Sequence, residues 1–303
     1  MQGHLPQSRG ATARIGEGDV HELDVGPGDP AYRLGRNRQR GSGQQFLDAR
    51  DLVPQRAQRA DQERLAALPG LGVRNPGVEA LATAAPDLLI TDQVEKVSGE
   101  VGSPSIADLE RLGIATYVVG GGCAADLGED TSGLEALDGD IRQLGTIFGV
   151  EARAEELADE LNGSLDGVRR QLAQRPRTKV AKLSQVAGRL YVTSGGLSND
   201  VIERAGGTNV LADLPGQFVP VGPEEIFARN PRSIIVDDFT ATTAGRNDAI
   251  AYLNRTFPTV DAVRNGRVLV IDAAKTGARG STRPVEGVTE IARFLHPSTS
   301  RSR

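Results

Sequence analysis

The chain has 303 residues, 38% hydrophobic and 25% charged, the make-up of an ordinary soluble protein with room for one large core or two lobes. A formal net charge of −5, an aromatic content of 4% and the absence of Trp leave neither the field nor the stacking surfaces for nucleic acid, so no nucleic-acid partner is expected. The single cysteine, Cys123, excludes an intrachain disulfide and a thiolate cluster, and the three histidines (His4, His21, His296) sit near the chain ends. No metal site and no cofactor are therefore expected.

Residues 1–64 do not read like the rest. They are rich in Arg, Gly and Gln, with few apolar residues at either the strand or the helix period. The expectation is an irregular or disordered basic arm, or out-of-frame translation whose true frame resumes near Leu65. The first twenty residues lack the apolar run of a secretory signal, which taken alone argues for a cytoplasmic protein. No stretch is long and apolar enough to span a membrane.

From residue 65 the pattern becomes regular. Residues 77–85 read as a helix ended by Pro86, 87–91 (DLLIT) as a buried strand, 106–112 as a helix and 114–119 (IATYVV) as another strand. A helix over 134–148 precedes a longer one over 151–173. In the longer helix Ala154, Leu157, Leu161, Leu165, Val168 and Leu172 recur at spacings of three and four. At 1.5 Å per residue it reaches roughly 34 Å, long enough to act as a stiff strut between two globular parts. Strands at 179–183, 190–193, 233–237 (SIIVD) and 267–272 (RVLVID) then alternate with helices at 199–205, 223–229, 249–255 and 285–295. Short apolar strands between helices argue for parallel sheets covered on both faces.

An internal echo favours two lobes. Residues 77–92 and 222–238 share a helix, a Pro, an apolar strand and a polar turn; Glu79 aligns with Glu224 and Pro86 with Pro231, an offset of 145 residues.

One glycine fingerprint stands out, Gly120, Gly122 and Ala125 directly after a strand, the spacing that admits a pyrophosphate at a helix N-terminus. The helix it would open is broken at Gly128, and no strand ending in an acid follows at the right distance. A nucleotide-dependent cytoplasmic oxidoreductase stays open as an alternative on these glycines. There is no G-x-S-x-G elbow, Walker loop or H-E-x-x-H, and the expectation is that the chain is not an enzyme. Asp237 and Asp238 at a strand end read as capping groups or ligand contacts.

Ligands of parallel sheets gather at the loops beyond the strand C-termini, here 92–103, 120–126, 184–189, 238–245 and 273–283. The last carries Lys275, Arg279 and Arg283 within nine residues, a suitable set for an anionic ligand.

The segments LAALPGLGVRNPGVEALATAAPDLLIT, IRQLGTIFGVEARAEELADEL, YVTSGGLSNDVIERAGGTNVLAD and PEEIFARNPRSIIVDD resemble, in order and spacing, the periplasmic binding proteins of iron-siderophore and cobalamin ABC importers, over residues 65–297. The resemblance implies an α/β fold of two Rossmann-like lobes with parallel sheets bridged by one long helix, a class III solute-binding protein with little hinge motion. The divisions would be an N-terminal lobe at 65–148, missing its first strand and helix, a bridging helix at 149–175, a C-terminal lobe at 176–297 and a tail at 298–303. It also implies an extracytoplasmic place, periplasmic or tethered to the cell envelope, and a permease dimer with its ATPase as partners of a monomeric receptor. The ligand would be an Fe(III)-siderophore, with cobalamin or haem as alternatives. Tyr191 and Phe239 would supply flat apolar contacts, and Lys275, Arg279 and Arg283 the anion contacts. Glu203 matches the family's permease-docking acid on the C-terminal lobe, and Glu100 is the candidate on the N-terminal one.

Overall fold

A computed structural model describes residues 68, 70–71, 76–100, 102–120, 133–186, 188–239 and 242–297. The expected arm at 1–64, Cys123, and Gly122 and Ala125 of the glycine fingerprint lie outside the described residues. Among these residues no helix is long and apolar enough to cross a membrane.

The fold is α/β, with two separate sheets. Helix α1 (Val78–Ala84) leads into strand β1 (Leu88–Thr91), and helix α2 (Ile106–Arg111) into β2 (Ala115–Val118). β1 and β2 pair in parallel, Leu88 beside Ala115 and Thr91 beside Val118. Leu81, Val97, Leu109 and Ile114 form the small core beneath them. Helices α3 (Leu134–Ile147) and α4 (Glu151–Leu172) follow, and then the larger sheet. Its strands are β3 (Thr178–Val186), β4 (Arg189–Thr193), β5 (Gly207–Asn209), β6 (Phe218–Pro220), β7 (Ser233–Asp238) and β8 (Val268–Asp272), in the order β6-β4-β3-β7-β8 with β5 beside β3. Between them run α5 (Gly196–Arg204), α6 (Pro223–Arg229), α7 (Thr243–Thr256) and α8 (Asp261–Arg264), and after β8 come α9 (Ala274–Gly277) and α10 (Arg283–Leu295).

β7 is buried along its whole length, as a central strand covered on both faces must be. Side chains alternate across it. Ile235 joins Val180, Val201, Ile271, Val288 and Ile291 in one core, while Ile234 and Val236 join Leu183, Ile226, Leu253 and Phe257 in the other.

Two features differ from the parallel, strut-linked expectation. β4 and β6 run antiparallel to their neighbours, because β3 continues to Val186 and turns straight back, Val186 pairing with Arg189. The expected loop at 184–189 is thus a hairpin. The long helix, moreover, is no free rod. Its Val168 is buried in the first core of the larger sheet, and its Leu161, Leu165 and Leu172, half-buried, pack against that core. Its start lies against α3, so close that a Cβ on Gly145 would sit 2.4 Å from the Ala154 Cβ. An apolar stripe of this width is more stable packed than exposed.

The internal echo holds at the level of single dihedrals. Among the described residues the non-glycine positions with positive φ are Ala85 (44°) and Asn230 (41°), which are equivalent at the 145-residue offset. Each is the left-handed C-cap of its helix, donates its N–H to the residue four back (Leu81, Ile226) and precedes a Pro. Alanine has no local compensation there, whereas Asn230 Oδ1 accepts the Asp261 N–H at 2.9 Å. Ala85→Gly should therefore raise stability by about 0.5–1 kcal/mol, with little gain from Asn230→Gly, as urea unfolding of the two variants will show.

Candidate functional site

The two sheets meet at the end of β2. Gly120, with φ +72°, lets the chain turn where an added Cβ would lie 3.0 Å from the Arg279 Cβ and 3.3 Å from its Cγ and Cδ. The aliphatic stem of Arg279 thus lies across the end of the first sheet. Its guanidinium donates to Gln217 Oε1 at 3.0 Å, next to β6 of the second. A narrow crevice here is lined by Gly120, Leu134, Asp140, Leu197, Arg279 and Ser281 among others.

Helix α3 holds this seam together. Asp140, buried within it, accepts the Gly120 N–H at 2.6 Å and the Tyr117 hydroxyl at 2.9 Å. Burial pushes its carboxyl above the ordinary carboxylate range, against the pull of those two donors. The first turn of α3 has no side-chain cap of its own, because Gly133 occupies the N-cap. Asp200 of α5 supplies one, accepting the Leu134 N–H at 2.8 Å. The Gly120 N–H that a pyrophosphate would need is therefore committed to a carboxylate, which would repel a phosphate. This geometry weighs against the oxidoreductase alternative.

Next to Gln217, Phe218 is 48% exposed and stacks on Tyr191, with ring centroids 4.7 Å apart and planes 3° from parallel. The pairing of β4 with β6 sets Thr193 beside Phe218 and Tyr191 beside Pro220, which puts both rings on one face of the sheet edge. Tyr191 and Phe218 therefore form a flat aromatic pair at the sheet edge, and Gln217, the residue before Phe218, carries the Arg279 guanidinium.

The other expected contacts are distributed differently. Lys275 turns to α10, 2.8 Å from Glu290 and 3.8 Å from Glu286. Arg283 donates to Asp272 Oδ2 at 2.6 Å. Of the three cations of the loop, Arg279 is the one brought to the seam, on an amide rather than a carboxylate. Phe239 is 44% exposed immediately after β7. Glu203, near the end of α5, and Glu100, after the short helical turn at Val94–Val97, are both exposed. Asp238 is buried and its carbonyl accepts the Ala273 N–H at 3.1 Å.

Asp237 lies beneath the loop that carries Arg279. Its Oδ2 accepts from Lys182 Nζ at 2.5 Å and Ser184 Oγ at 2.6 Å, and its Oδ1 from Thr276 Oγ1 at 2.8 Å. Lys182 also reaches Thr193 Oγ1 at 3.4 Å, and Ser198 Oγ donates to the Thr276 carbonyl at 2.9 Å. All of these side chains except that of Ser198 are nearly inaccessible. They tie β3, β4, β7, α5 and α9 into a polar floor.

Sequence reasoning alone does not single out Gln217, Phe218 or Asp140. Phe218, an aromatic residue in a Gly/Pro-rich turn, and Asp140, an acid between the apolar positions Leu137, Ile141 and Leu144, were the available signals.

Residues 46–274, most of the chain, match a family model described as periplasmic binding protein. The match opens inside the stretch read from sequence as irregular. The high-affinity heme uptake system protein IsdE of Staphylococcus aureus is 32% identical over 108 residues, which is 35% of this chain and 37% of that protein. The chain thus spans well under half the length of the curated relatives it matches. Among solved structures, a periplasmic binding protein from Veillonella parvula superposes with a TM-score of 0.67 at 18% identity, over 78% of each chain. An ABC-type Fe3+-hydroxamate transport system protein from Saccharomonospora viridis gives 0.63 at 22% identity, over 78% of this chain and 80% of that one. Likeness at such identities is one of fold. A family match that runs from before the first sheet to the cation loop of the second is one of membership: the chain belongs to the periplasmic binding protein family.

Proposed function

We propose that this chain is the solute-binding component of an ABC importer and holds a ferric siderophore between an N-terminal lobe at 65–148 and a C-terminal lobe at 176–297, bridged by 149–175. The observation that carries the proposal is the placing of Arg279. The stem of an arginine from the second sheet lies against Gly120 at the end of the first, and its guanidinium is held on Gln217, the residue before Phe218 of the stacked pair. Iron chelates of this class combine anionic oxygen donors with flat or apolar skeletons, and a guanidinium and an aromatic pair held through the neighbouring residues Gln217 and Phe218 suit both. Binding is equilibrium capture, without bond-making. The exposed acids Glu100 and Glu203 would dock on a permease dimer driven by its ATPase, on the extracytoplasmic side of the membrane.

Haem is the second reading, favoured by two observations: the parallel stacked pair, which suits a flat tetrapyrrole, and the partial match to a heme uptake protein. His296 cannot serve as its axial ligand from the seam, since its ring lies 3.3 Å from the Gly206 carbonyl at the far end of α10.

Thermal melts of the purified chain with ferric hydroxamates, ferric catecholates, hemin, cobalamin and NAD will separate these readings, because only a bound ligand stabilises by mass action. A ferric siderophore should raise the melting temperature. Arg279→Ala should weaken its affinity about 10–100-fold, as expected for a charged hydrogen-bond partner worth about 1–3 kcal/mol. A rise with hemin alone selects the second reading. A rise with NAD and with none of the chelates overturns both.

A further inference from the structure

At the opposite end of the larger sheet from the seam, where β3, β7 and β8 begin, a concavity of about 440 Å³ is lined by Thr178, Arg232, Ser233, Asp261, Asn265 and Arg267. Strand register produces it. Parallel pairing sets Val180 beside Ser233 and Ile234 beside Val268. The Arg232 N–H donates to the Lys179 carbonyl at 3.0 Å, and the Ile234 N–H to the Arg267 carbonyl at 2.9 Å. The register therefore sets Lys179 of β3 level with Arg232 before β7, and Arg267 before β8 level with Ser233.

The cations are not used up by acids. Among the described residues no carboxylate pairs with Lys179, Arg232 or Arg267, and the first two are exposed. Arg267 is held rigidly: one terminal nitrogen donates to the carbonyls of Phe294 (2.9 Å) and Leu295 (3.2 Å), and the guanidinium carbon stands 4.6 Å from the Phe294 ring centre. The acid of the set, Asp261, lies 4.0 Å from Arg264, which offsets its charge.

Ser233 gives the independent indication. It is fully buried, and among the described residues its hydroxyl is the buried side-chain polar atom that lacks a hydrogen-bond partner. Buried hydroxyls in native proteins are almost always paired, because an orphan forfeits its hydration without return. Ser233 lines the basic concavity, and its hydroxyl still has a hydrogen bond to give.

We propose that this concavity is a second binding site, remote from the seam, for a phosphate-class oxyanion. Arg232 and Arg267 supply the charge, and Thr178, Asn265 and Ser233 the neutral hydrogen bonds. Guanidinium groups match the oxygens of a tetrahedral anion in pairs, and a fixed guanidinium loses less freedom on binding than a mobile one. The proposal does not depend on what the seam binds. The anion is either free phosphate or the phosphodiester of a lipid headgroup.

Melts of the full chain in phosphate-free buffer and in inorganic phosphate, against sodium chloride of equal ionic strength, provide the test. Phosphate at about ten times its dissociation constant should raise the melting temperature by roughly 3 °C more than chloride does. Arg232→Ala, at an exposed position, should fold normally and abolish that difference. Ser233→Ala should melt at or above the wild type without phosphate, since it removes the orphan hydroxyl, and should also lose the phosphate response. Flotation with phosphatidylglycerol vesicles identifies the source. Co-flotation lost in Arg232→Ala assigns the lipid headgroup, and a phosphate response without flotation assigns the free ion. Equal responses to phosphate and chloride with no flotation, or responses unchanged in both variants, overturn the site.

Discussion

Replacing Asp237 with alanine should lower the stability of the chain by about 3–5 kcal/mol. The carboxylate is the shared acceptor of three buried donors, with Lys182 Nζ 2.5 Å away and the two side chains 3% and 5% exposed. Removing it leaves an ammonium in the interior together with the hydroxyls of Ser184 and Thr276, each of which has lost its partner on Asp237. Asp237→Asn should fare little better, since it keeps the shape but discards the charge and places an amide N–H against donors. The double variant Lys182→Met, Asp237→Leu should recover at least half of the loss, because the penalty lies in the orphaned charge rather than in the absence of the pair. Urea unfolding measures all three. Midpoints should fall in the single variants and return in the double one, with slopes unchanged. A single-variant loss below about 1 kcal/mol would mean that water reaches Lys182 and that the floor under the Arg279 loop is not rigid.

The parts of the fold visible in the sequence are those set by local pattern. The helix-Pro-strand unit repeats at 145 residues because both copies need the same left-handed cap before the proline, at Ala85 and at Asn230. The apolar run Ser233–Asp238 is a central strand because it is buried on both faces. The antiparallel edge is harder to see. A strand covered on both sides shows no alternation, so its direction is carried by the turn alone, here at Gly188 with φ +76°, just before Arg189 pairs with Val186. That turn sits in the sequence VAGR, a hairpin signal within a pattern otherwise typical of parallel sheets.

The candidate site was legible in part, and for the same reason. Three cations within nine residues mark an anion-binding loop in a linear reading, but the direction of each is decided by elements that pack later. Lys275 finds Glu286 and Glu290 because α9 lies against α10, and Arg283 finds Asp272 because β8 ends beneath it. Neither pairing has a local signature. Tyr191 could be chosen as an aromatic near a strand end. Its partner Phe218 opens the three-residue strand β6, which meets β4 only through the sheet. Distance along the chain therefore identified the loop, and tertiary packing chose Arg279 within it.

That packing turns on one glycine. Gly287 lies inside α10, where glycine costs about 1 kcal/mol relative to alanine. An added Cβ would stand 1.8 Å from the Lys275 carbonyl oxygen and 2.8 Å from its carbon, both of them backbone atoms. No rotamer relieves such a contact, so α9 and the loop up to Arg283 would have to move away from α10. Gly287→Ala should accordingly lose about 3 kcal/mol despite the better helix former. It should also weaken ligand binding at the seam at least as much as Arg279→Ala does, because Arg279 rides on the displaced loop. Gly139→Ala in α3 is the control. Nothing lies within 4 Å of its added Cβ, and it should gain up to about 1 kcal/mol. Melts and ligand titrations of both variants decide the matter: a Gly287→Ala protein as stable as the wild type would mean that α9 is not seated on α10 and that Arg279 is placed by some other contact.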